Sequence, residues 1–263
     1  MTAPRSGKKT YGEKKAFFDR VVTVYGRKAV LEVLQDTSLQ CHAVHFADSN
    51  IEKGIVADIR ALARSRSIPL NLHSRLALSR ISKNGKQDQG VAADIICPAF
   101  STVTQYLDDL PQHARVRLLA LDGIGNPQNL GMILRSAAAG NIQGIIWSRR
   151  GNAALGPLVI KASAGTLYRA PLLLCQDLPG ALAQCQGAGM VVCTLEATAS
   201  RTLFEYRSAS AIVYVLGNET EGVSAEVSKL ADTALSIPMG NGVESLNVAV
   251  TASLIAYAGD LAG

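Results

Sequence analysis

Three glycine- and asparagine-rich segments constrain this chain more than any other feature: DGIGNPQNLGMILRSA at 122–137, LGNETEG at 216–222 and IPMGNGVESLNV at 237–248. Each follows, or begins within a residue of, a short apolar run that reads as a buried strand, namely RLLAL, IVYVL and ALSI. Strands buried on both faces belong to parallel sheets, and loops that leave such strands open on one edge. The three segments can therefore converge on a single ligand site. Any one of them alone reads more simply as a turn needing positive φ; three together shift the balance.

The surrounding pattern supports that sheet. Strands are expected at 117–121, 144–147, 171–174, 190–195, 212–216 and 234–237, with helices between them and a last helix from 245 to about 261. Strands alternating with helices predict an α/β fold with a largely parallel sheet covered on both faces. The N-terminal part reads as helix 27–34, strand 42–46, helix 51–64 after an Asn50 cap, strand 69–72, a short helix and strand 90–96. This makes a small α/β unit of roughly 75 residues, within the range of an independent domain. The expected organisation is a basic flexible tail at 1–22, a first domain at 23–97, a linker at 98–115 and a main domain at 116–263.

Composition narrows the setting. No run approaches ~18 uninterrupted apolar residues, so no membrane span is expected. The N-terminus, PRSGKKTYGEKK, is basic and polar, unlike a secretory signal, and a cytoplasmic location is expected. The five cysteines, Cys41, Cys97, Cys175, Cys185 and Cys193, include no C-x-x-C pair. They are expected to be reduced and buried, with no disulfide framework and no metal site. The net charge of +5 is uneven: residues 1–115 hold 17 basic and 11 acidic side chains, whereas 116–263 hold 9 and 10. Residues 1–22 alone carry six basic and two acidic groups, and SKNGKQDQ at 82–89 is a second basic segment. An arm of that kind is attracted to phosphates, or simply solubilises the chain.

Strands that end in glycine loops feeding helices point to a nucleotide-type cofactor. The dinucleotide fingerprint is absent, because after Leu121 the spacing is Gly123-x-Gly125 followed by Asn126-Pro127-Gln128, with the next glycine at Gly131. In the helix after this loop, Leu130, Ile133, Leu134, Ala137 and Ala138 form the core stripe and Arg135 lies off it. Gly131 lies one turn before Arg135, which can lean over the bare backbone toward the loop. At the last helix Ser245 is the expected N-cap, Asn247 sits in the first turn or acts as a cap partner, and Leu246, Ala249, Val250, Leu254 and Tyr257 make the apolar face. Glu219 is placed to pair with Arg135. His42, His45, His73 and His113 read as structural.

At these residues the chain resembles the SpoU (TrmH-type) RNA 2′-O-ribose methyltransferases of the SPOUT superfamily. The segments NPQNLGMILRSA, LGNExxG and IPMxGxxxSLNVA match the three family motifs in order and spacing across about 116–261, and VYGRKAVLEVL at 24–34 with QGVA at 89–92 resembles the family's ribosomal-protein-like substrate-binding domain. One departure is Asp88, where that domain usually carries His before Gln-Gly; it bears on RNA contacts there.

The resemblance implies a SPOUT-type parallel-sheet domain with a C-terminal trefoil knot, a homodimer, and S-adenosylmethionine bound bent among the knot loops. General chain topology disfavours knots, so periodicity alone does not predict one. Carried over residue by residue, cofactor contacts fall on Leu195, Glu196, Leu216, Gly217, Asn218, Gly222, Ile237, Met239 and Leu246, and catalysis or substrate placement on Asn129, Arg135, Glu219, Ser245 and Asn247. The reaction so implied moves methyl from a sulfonium to a ribose 2′-oxygen, and neither histidine nor metal is required. The family gives proton removal to Arg135, although guanidinium pKa values exceed ~12. Arg135 is therefore either a base deprotonated by its surroundings or a fixed cation that stabilises the alkoxide or holds a phosphate.

The expected function is methylation of structured RNA, ribosomal RNA before tRNA, with a non-catalytic RNA-binding assembly factor of the same fold as the alternative. The charge asymmetry yields the first prediction: RNA affinity should fall as salt rises, with a log–log slope near −0.7 to −0.9 per phosphate neutralised. Filter binding across a salt series checks this, and a flat response would remove the basic arm from recognition.

Overall fold

In the computed structural model, which describes residues 10–258, the apolar runs of the sequence become two separate sheets. Backbone contacts divide the chain into two units, Met1–Pro98 and Ala99–Gly263.

The first unit has β1 (Val21–Tyr25), β2 (Gln40–Ala47), β3 (Leu70–His73) and β4 (Val91–Ile96) in the order β1-β4-β2-β3, with α1 (Tyr11–Asp19), α2 (Arg27–Gln35), α3 (Ile55–Ser65) and α4 (Arg75–Ser82). Strand β4 is antiparallel to β1 and β2, while β2 and β3 are parallel. Two expectations change here. Helix α1 and the start of β1 occupy the second half of the segment expected to be a flexible tail; its residues 1–9 lie outside the described ones. Helix α3 starts at Ile55 behind Gly54, not behind Asn50. The Asn50 amide is engaged elsewhere: its Nδ2 donates to the Gly90 carbonyl and its Oδ1 accepts from Arg27 Nη2 at 3.0 Å. Gly90 has φ +76°, and a Cβ there would lie 2.5 Å from Asn50 Nδ2, so only glycine fits.

Asp88 turns out to be fully buried. Its carboxylate accepts from Ser82 Oγ at 2.8 Å and from the Gly90 amide at 2.9 Å, and Arg75 Nη1 lies 3.0 Å away. It staples the 82–90 loop from inside. A second buried polar chain joins the strands: Thr23 Oγ1 donates to Asp94 at 2.7 Å, His45 Nε2 lies 3.2 Å from the same carboxylate, and His45 Nδ1 lies 2.9 Å from His73 Nε2. Burial pushes the Asp94 carboxyl up, but the His45 and Thr23 hydrogen bonds outweigh it and leave the group below its ordinary value.

The second unit carries β5 (Ser101–Thr102), α5 (Val103–Asp108), β6 (Arg117–Leu121), α6 (Pro127–Ala139), β7 (Gly144–Ser148), α7 (Pro157–Ala162), β8 (Leu172–Cys175), α8 (Leu178–Gly187), β9 (Val191–Leu195), β10 (Ile212–Leu216), α9 (Ala225–Ser228), β11 (Thr233–Leu235) and α10 (Val248–Tyr257). Seven parallel strands run in the order β11-β9-β10-β6-β7-β8-β5. The segment 98–115, expected as a linker, thus supplies β5 and α5, the helix opened by a Thr102/Gln105 capping box. On one face Leu118, Ala120, Ile146 and Val213 pack with Leu182 and Cys185 of α8 and Val103 of α5. Helix α6 packs against both α7 and α10.

Glycines set those helix approaches. A Cβ at Gly131 would lie 2.5 Å from Ala162 Cβ and 2.7 Å from the Val159 carbonyl, and one at Gly140 would lie 2.7 Å from Ala256 Cβ. Gly131 is therefore bare because α7 crosses it, not to give Arg135 a path. Helix α10 also differs from expectation. It begins at Val248 with Asn247 as N-cap, accepting from the Ala249 amide at 2.9 Å, so Ser245 is not the cap. Val248, Ala249, Ala252, Ile255 and Ala256 are buried, while Val250 and Tyr257 of the expected face are exposed. The expected end near 261 lies outside the described residues.

All five cysteines are free; Cys97, Cys185 and Cys193 are buried and the other two half-buried. Burial pushes their thiols up, Cys41 and Cys185 to about 11 and the others to about 12. No helix among the described residues is long and apolar enough to cross a membrane.

Gly131→Ala gains helix propensity of ~1 kcal/mol but must push α7 away. We expect a net loss of about 1–3 kcal/mol, as overpacked sites show, read as a lower urea midpoint.

Candidate active site

The strand order fixes where a ligand can sit. After β6 the chain runs outward through β7 and β8, returns to place β9 on the far side, and then inserts β10 between β9 and β6. The carboxyl edge at such a reversal is where open α/β sheets bind ligands. A cleft of about 490 Å³ lies there, formed by the ends of β9 and β10 and the segment between β11 and α10.

Leu195 and Glu196 close β9, Leu216, Gly217, Asn218 and Gly222 come from the loop after β10, and Ile237, Met239 and Leu246 come from the segment before α10; all nine line the cleft. Glu219, Ser245 and Asn247 line it as well. The loop after β10 folds back on itself: a Cβ at Gly217 would lie 2.2 Å from the Gly222 carbonyl carbon, and the Asn218 and Gly222 backbones exchange two hydrogen bonds of 2.9 Å. No side chain larger than hydrogen fits at Gly217.

Asn129 joins the three motifs. It is the third residue of α6, buried to 6% exposure, and its Nδ2 donates to the Glu219 carboxylate while its Oδ1 accepts from Asn247 Nδ2 at 3.3 Å. Asn126 prepares this by capping α6, its Oδ1 accepting from the Gln128 amide at 2.8 Å. Asn218 Nδ2 donates to the Gly123 carbonyl at 3.0 Å, tying the loop after β6 to the loop after β10.

Arg135 stands apart. It is exposed, does not line the cleft, and has no hydrogen bond or ion pair among the described residues, so the expected pairing with Glu219 is not made. Glu219, exposed on the loop after β10, goes instead to Asn129 in the first turn of α6, whereas Arg135 is six residues further along that helix and on another face.

Two supporting residues escaped the sequence reading. Asn152 Oδ1 accepts from the Ile124 amide at 2.8 Å while its Nδ2 donates to the Leu121 carbonyl at 3.1 Å, which fixes the path of the loop after β6. Asp122 Oδ2 accepts from the Ser224 amide at 2.7 Å and closes the far side of the loop after β10. A lone Asn in RRGN carries no signal of this, since both partners lie about thirty residues back.

The chemical character of the cleft is clear from its walls. Glu196, Glu219 and Glu244 contribute carboxylates, Asn218, Ser245, Asn247 and Thr251 add neutral polar groups, no Lys or Arg lines it among the described residues, and the remainder is apolar side chain and glycine backbone. Such a site favours an amphipathic, cationic ligand. The described residues include no cluster of three or more metal-ligating side chains.

Comparison with known proteins agrees in both units. Residues 117–257 match the family model described as the SpoU rRNA Methylase family, and residues 23–98 match RNA 2′-O ribose methyltransferase substrate binding. An uncharacterized tRNA/rRNA methyltransferase of Mycolicibacterium vanbaalenii is 31% identical over 258 residues, covering 96% of this chain and 80% of that protein. A protein of Staphylococcus saprophyticus, placed in the TrmH family of tRNA/rRNA methyltransferases, is 30% identical over 239 residues, covering 90% of this chain and 94% of its own. The crystal structure of the SpoU methyltransferase AviRb from Streptomyces viridochromogenes, in complex with AdoMet, superimposes with a TM-score of 0.63 at 18% identity, covering 97% of this chain and 95% of that one. At that identity the likeness is one of fold.

Asn129→Ala should leave the Glu219 and Asn247 side chains without a common partner. The expected loss is about 1–2 kcal/mol. Hydrogen exchange should quicken in 217–223 and 240–247 while the amides of β6 and β10 stay protected; unchanged exchange in both segments would remove Asn129 from its joining role.

Proposed function

The chain belongs to the SpoU rRNA methylase family, and from that premise we propose that it is an S-adenosylmethionine-dependent RNA 2′-O-ribose methyltransferase that acts as a homodimer on structured RNA, ribosomal RNA before tRNA. The observation that carries the reading is the convergence of the three motifs through Asn129, which places Glu219, Ser245 and Asn247 on one cleft.

The cleft suits the cofactor in shape and charge. Its volume of about 490 Å³ falls within the ~300–1,000 Å³ usual for ligand pockets. Leu195, Leu216, Ile237 and Leu246 offer apolar surface for an adenine ring, the turn at Gly217 admits close backbone approach, and three carboxylates favour a cationic sulfonium. When bound, S-adenosylmethionine supplies an already activated methyl group. The protein then has to hold a ribose 2′-hydroxyl at about 3–3.5 Å in line with that methyl and manage its proton. Ser245 and Asn247 stand at the cleft mouth with side chains able to orient the hydroxyl. Glu219, engaged by Asn129, is held by one oxygen and can accept through the other.

For Arg135, solvent exposure and the absence of an ion-pair partner among the described residues favour the second of its two roles, a cation available to the developing alkoxide or a flanking phosphate. Because Arg135 lies outside the cleft of its own chain, a second copy is the natural way to bring it to a cleft. The exposed apolar Met132 on α6 and Val250 on α10, at 41% and 47%, support that pairing. Passage of the chain from β11 at the sheet edge back to α10 against α6 supports the trefoil threading. The preference for ribosomal RNA is an analogy supported by the description of the matching family, SpoU rRNA Methylase, whereas the match at 23–98 supports an RNA substrate. Five free thiols fit a reducing, cytoplasmic setting.

Transfer of labelled methyl from S-adenosylmethionine to unmodified rRNA and tRNA, with nucleoside mapping, tests the proposal. Label should appear at a ribose 2′-oxygen of rRNA, and Arg135→Ala should lower kcat by ~100-fold or more with cofactor affinity unchanged. Label on a base would overturn the reaction, label on tRNA alone the substrate, and silence on every RNA would favour the assembly-factor reading.

A further inference from the structure

The amino edge of the same sheet carries a second, chemically opposite pocket. Because the strands are parallel, their first residues lie on the edge away from the cleft, and Arg117 opens β6 while Ile212 opens β10. Around them is a cavity of about 210 Å³ lined by Arg115, Arg117, Arg207, Ser208, Tyr206 and Tyr214 among others, with no acidic residue among the described residues of its wall. The nearest acid in sequence, Glu205, is committed to the Thr202 hydroxyl, which donates to it at 2.7 Å.

Arg117 is the informative member. Its Nη2 donates to the Ile255 carbonyl near the end of α10, and its guanidinium carbon lies 5.5 Å from the Tyr214 ring centroid. Its Nη1 is buried and has no hydrogen-bond partner among the described residues, while the guanidinium's charge and its hydrogen bond to the Tyr214 hydroxyl offset part of the burial that raises that phenol. A buried donor left unpaired costs roughly 1–3 kcal/mol, more when charged, so such atoms in native proteins call for a partner. Arg207 spends Nη1 on its neighbours' carbonyls, Phe204 at 2.7 Å and Tyr206 at 3.0 Å, which holds the side chain in place. Arg115 is exposed and has no partner among the described residues.

We propose that this cavity is an oxyanion site for a phosphate group, with the half-buried Arg117 as its inner anchor, Arg115 and Arg207 as its outer cations and the Ser208 and Tyr214 hydroxyls as neutral donors. Planar guanidinium forks match the geometry of phosphate oxygens. The volume is below the ~300 Å³ at which ligand pockets usually begin, so it suits a phosphate group better than a whole nucleotide. The same chemistry is presented by free inorganic phosphate and by the phosphodiester of an RNA strand. It stands independently of the methyl-transfer reading, since no residue of the carboxyl-edge cleft takes part.

The test is calorimetric titration of the full chain with sodium phosphate against sodium chloride at matched ionic strength. Saturable binding at one site per chain is expected, weakened at least about tenfold in an Arg115→Ala/Arg207→Ala double variant. Both positions are exposed, so the variant should keep its urea midpoint, whereas Arg117 also holds α10 and is left intact. In parallel, the Tyr214 ring resonances should shift with phosphate in the wild type and far less in the variant. A short unstructured oligoribonucleotide that displaces phosphate assigns the site to an RNA backbone; saturable binding without displacement assigns it to the free anion. Heat indistinguishable from chloride, or equal affinity in the double variant, overturns the proposal.

Discussion

The hydrogen bonds of one buried amide hold the candidate site together. Asn129 presents a donor to Glu219 and an acceptor to Asn247, whose own positions in sequence are 90 and 118 residues away. A carboxylic acid in its place would repel Glu219, and a hydroxyl would be too short to reach both, so the side chain that fits must be a planar group with one donor and one acceptor end. Everything else in the cleft is arranged around that bridge: the cap from Asn126 that starts α6 at the right residue, the self-closing turn at Gly217, and the cap from Asn247 that starts α10.

The sheet was legible because its strands are short apolar runs between turn residues. Strands β6 and β10 begin and end at the expected residues, 117–121 and 212–216. What failed was orientation where the local pattern is uniform. Helix α10 is apolar on nearly every side, so periodicity cannot choose a buried face, and its packing on α6 chooses instead. In SLNV two residues can cap a helix; the structure gives the cap to Asn247, while Ser245 and Leu246 before it line the cleft. The packing role of Gly131 and the burial of Asp88 are invisible in the sequence for a shared reason. Their partners, α7 for one and Arg75 for the other, are set by tertiary packing that no short window contains.

The two edges of the seven-stranded sheet have opposite electrostatic character. Carboxylates Glu196, Glu219 and Glu244 line the carboxyl edge, and Arg115, Arg117 and Arg207 line the amino edge. With 9 basic and 10 acidic side chains in 116–263 the domain is nearly neutral overall, yet these two pockets differ in the sign of their charge. Net charge alone conceals such a difference between two pockets, because their residues are interleaved in sequence and come together only when parallel strands carry their first and last residues to different edges.

Strand β10 has a neighbour on each side, β9 and β6, and its pairing with β6 joins Ile212 to Arg117 across 95 residues of chain. A strand that enters the middle of a sheet this late imposes an order on folding. Until residue 216 and its successors have been synthesised, β6 presents an unpaired edge, and no part of the cleft can exist in the nascent chain. High sequence separation of this kind slows the search for the native pairing. It also leaves an apolar, strand-forming surface open to other chains during that interval. The feature that gathers three distant motifs into one site in the finished molecule is, on the ribosome, the period of greatest exposure to misassembly.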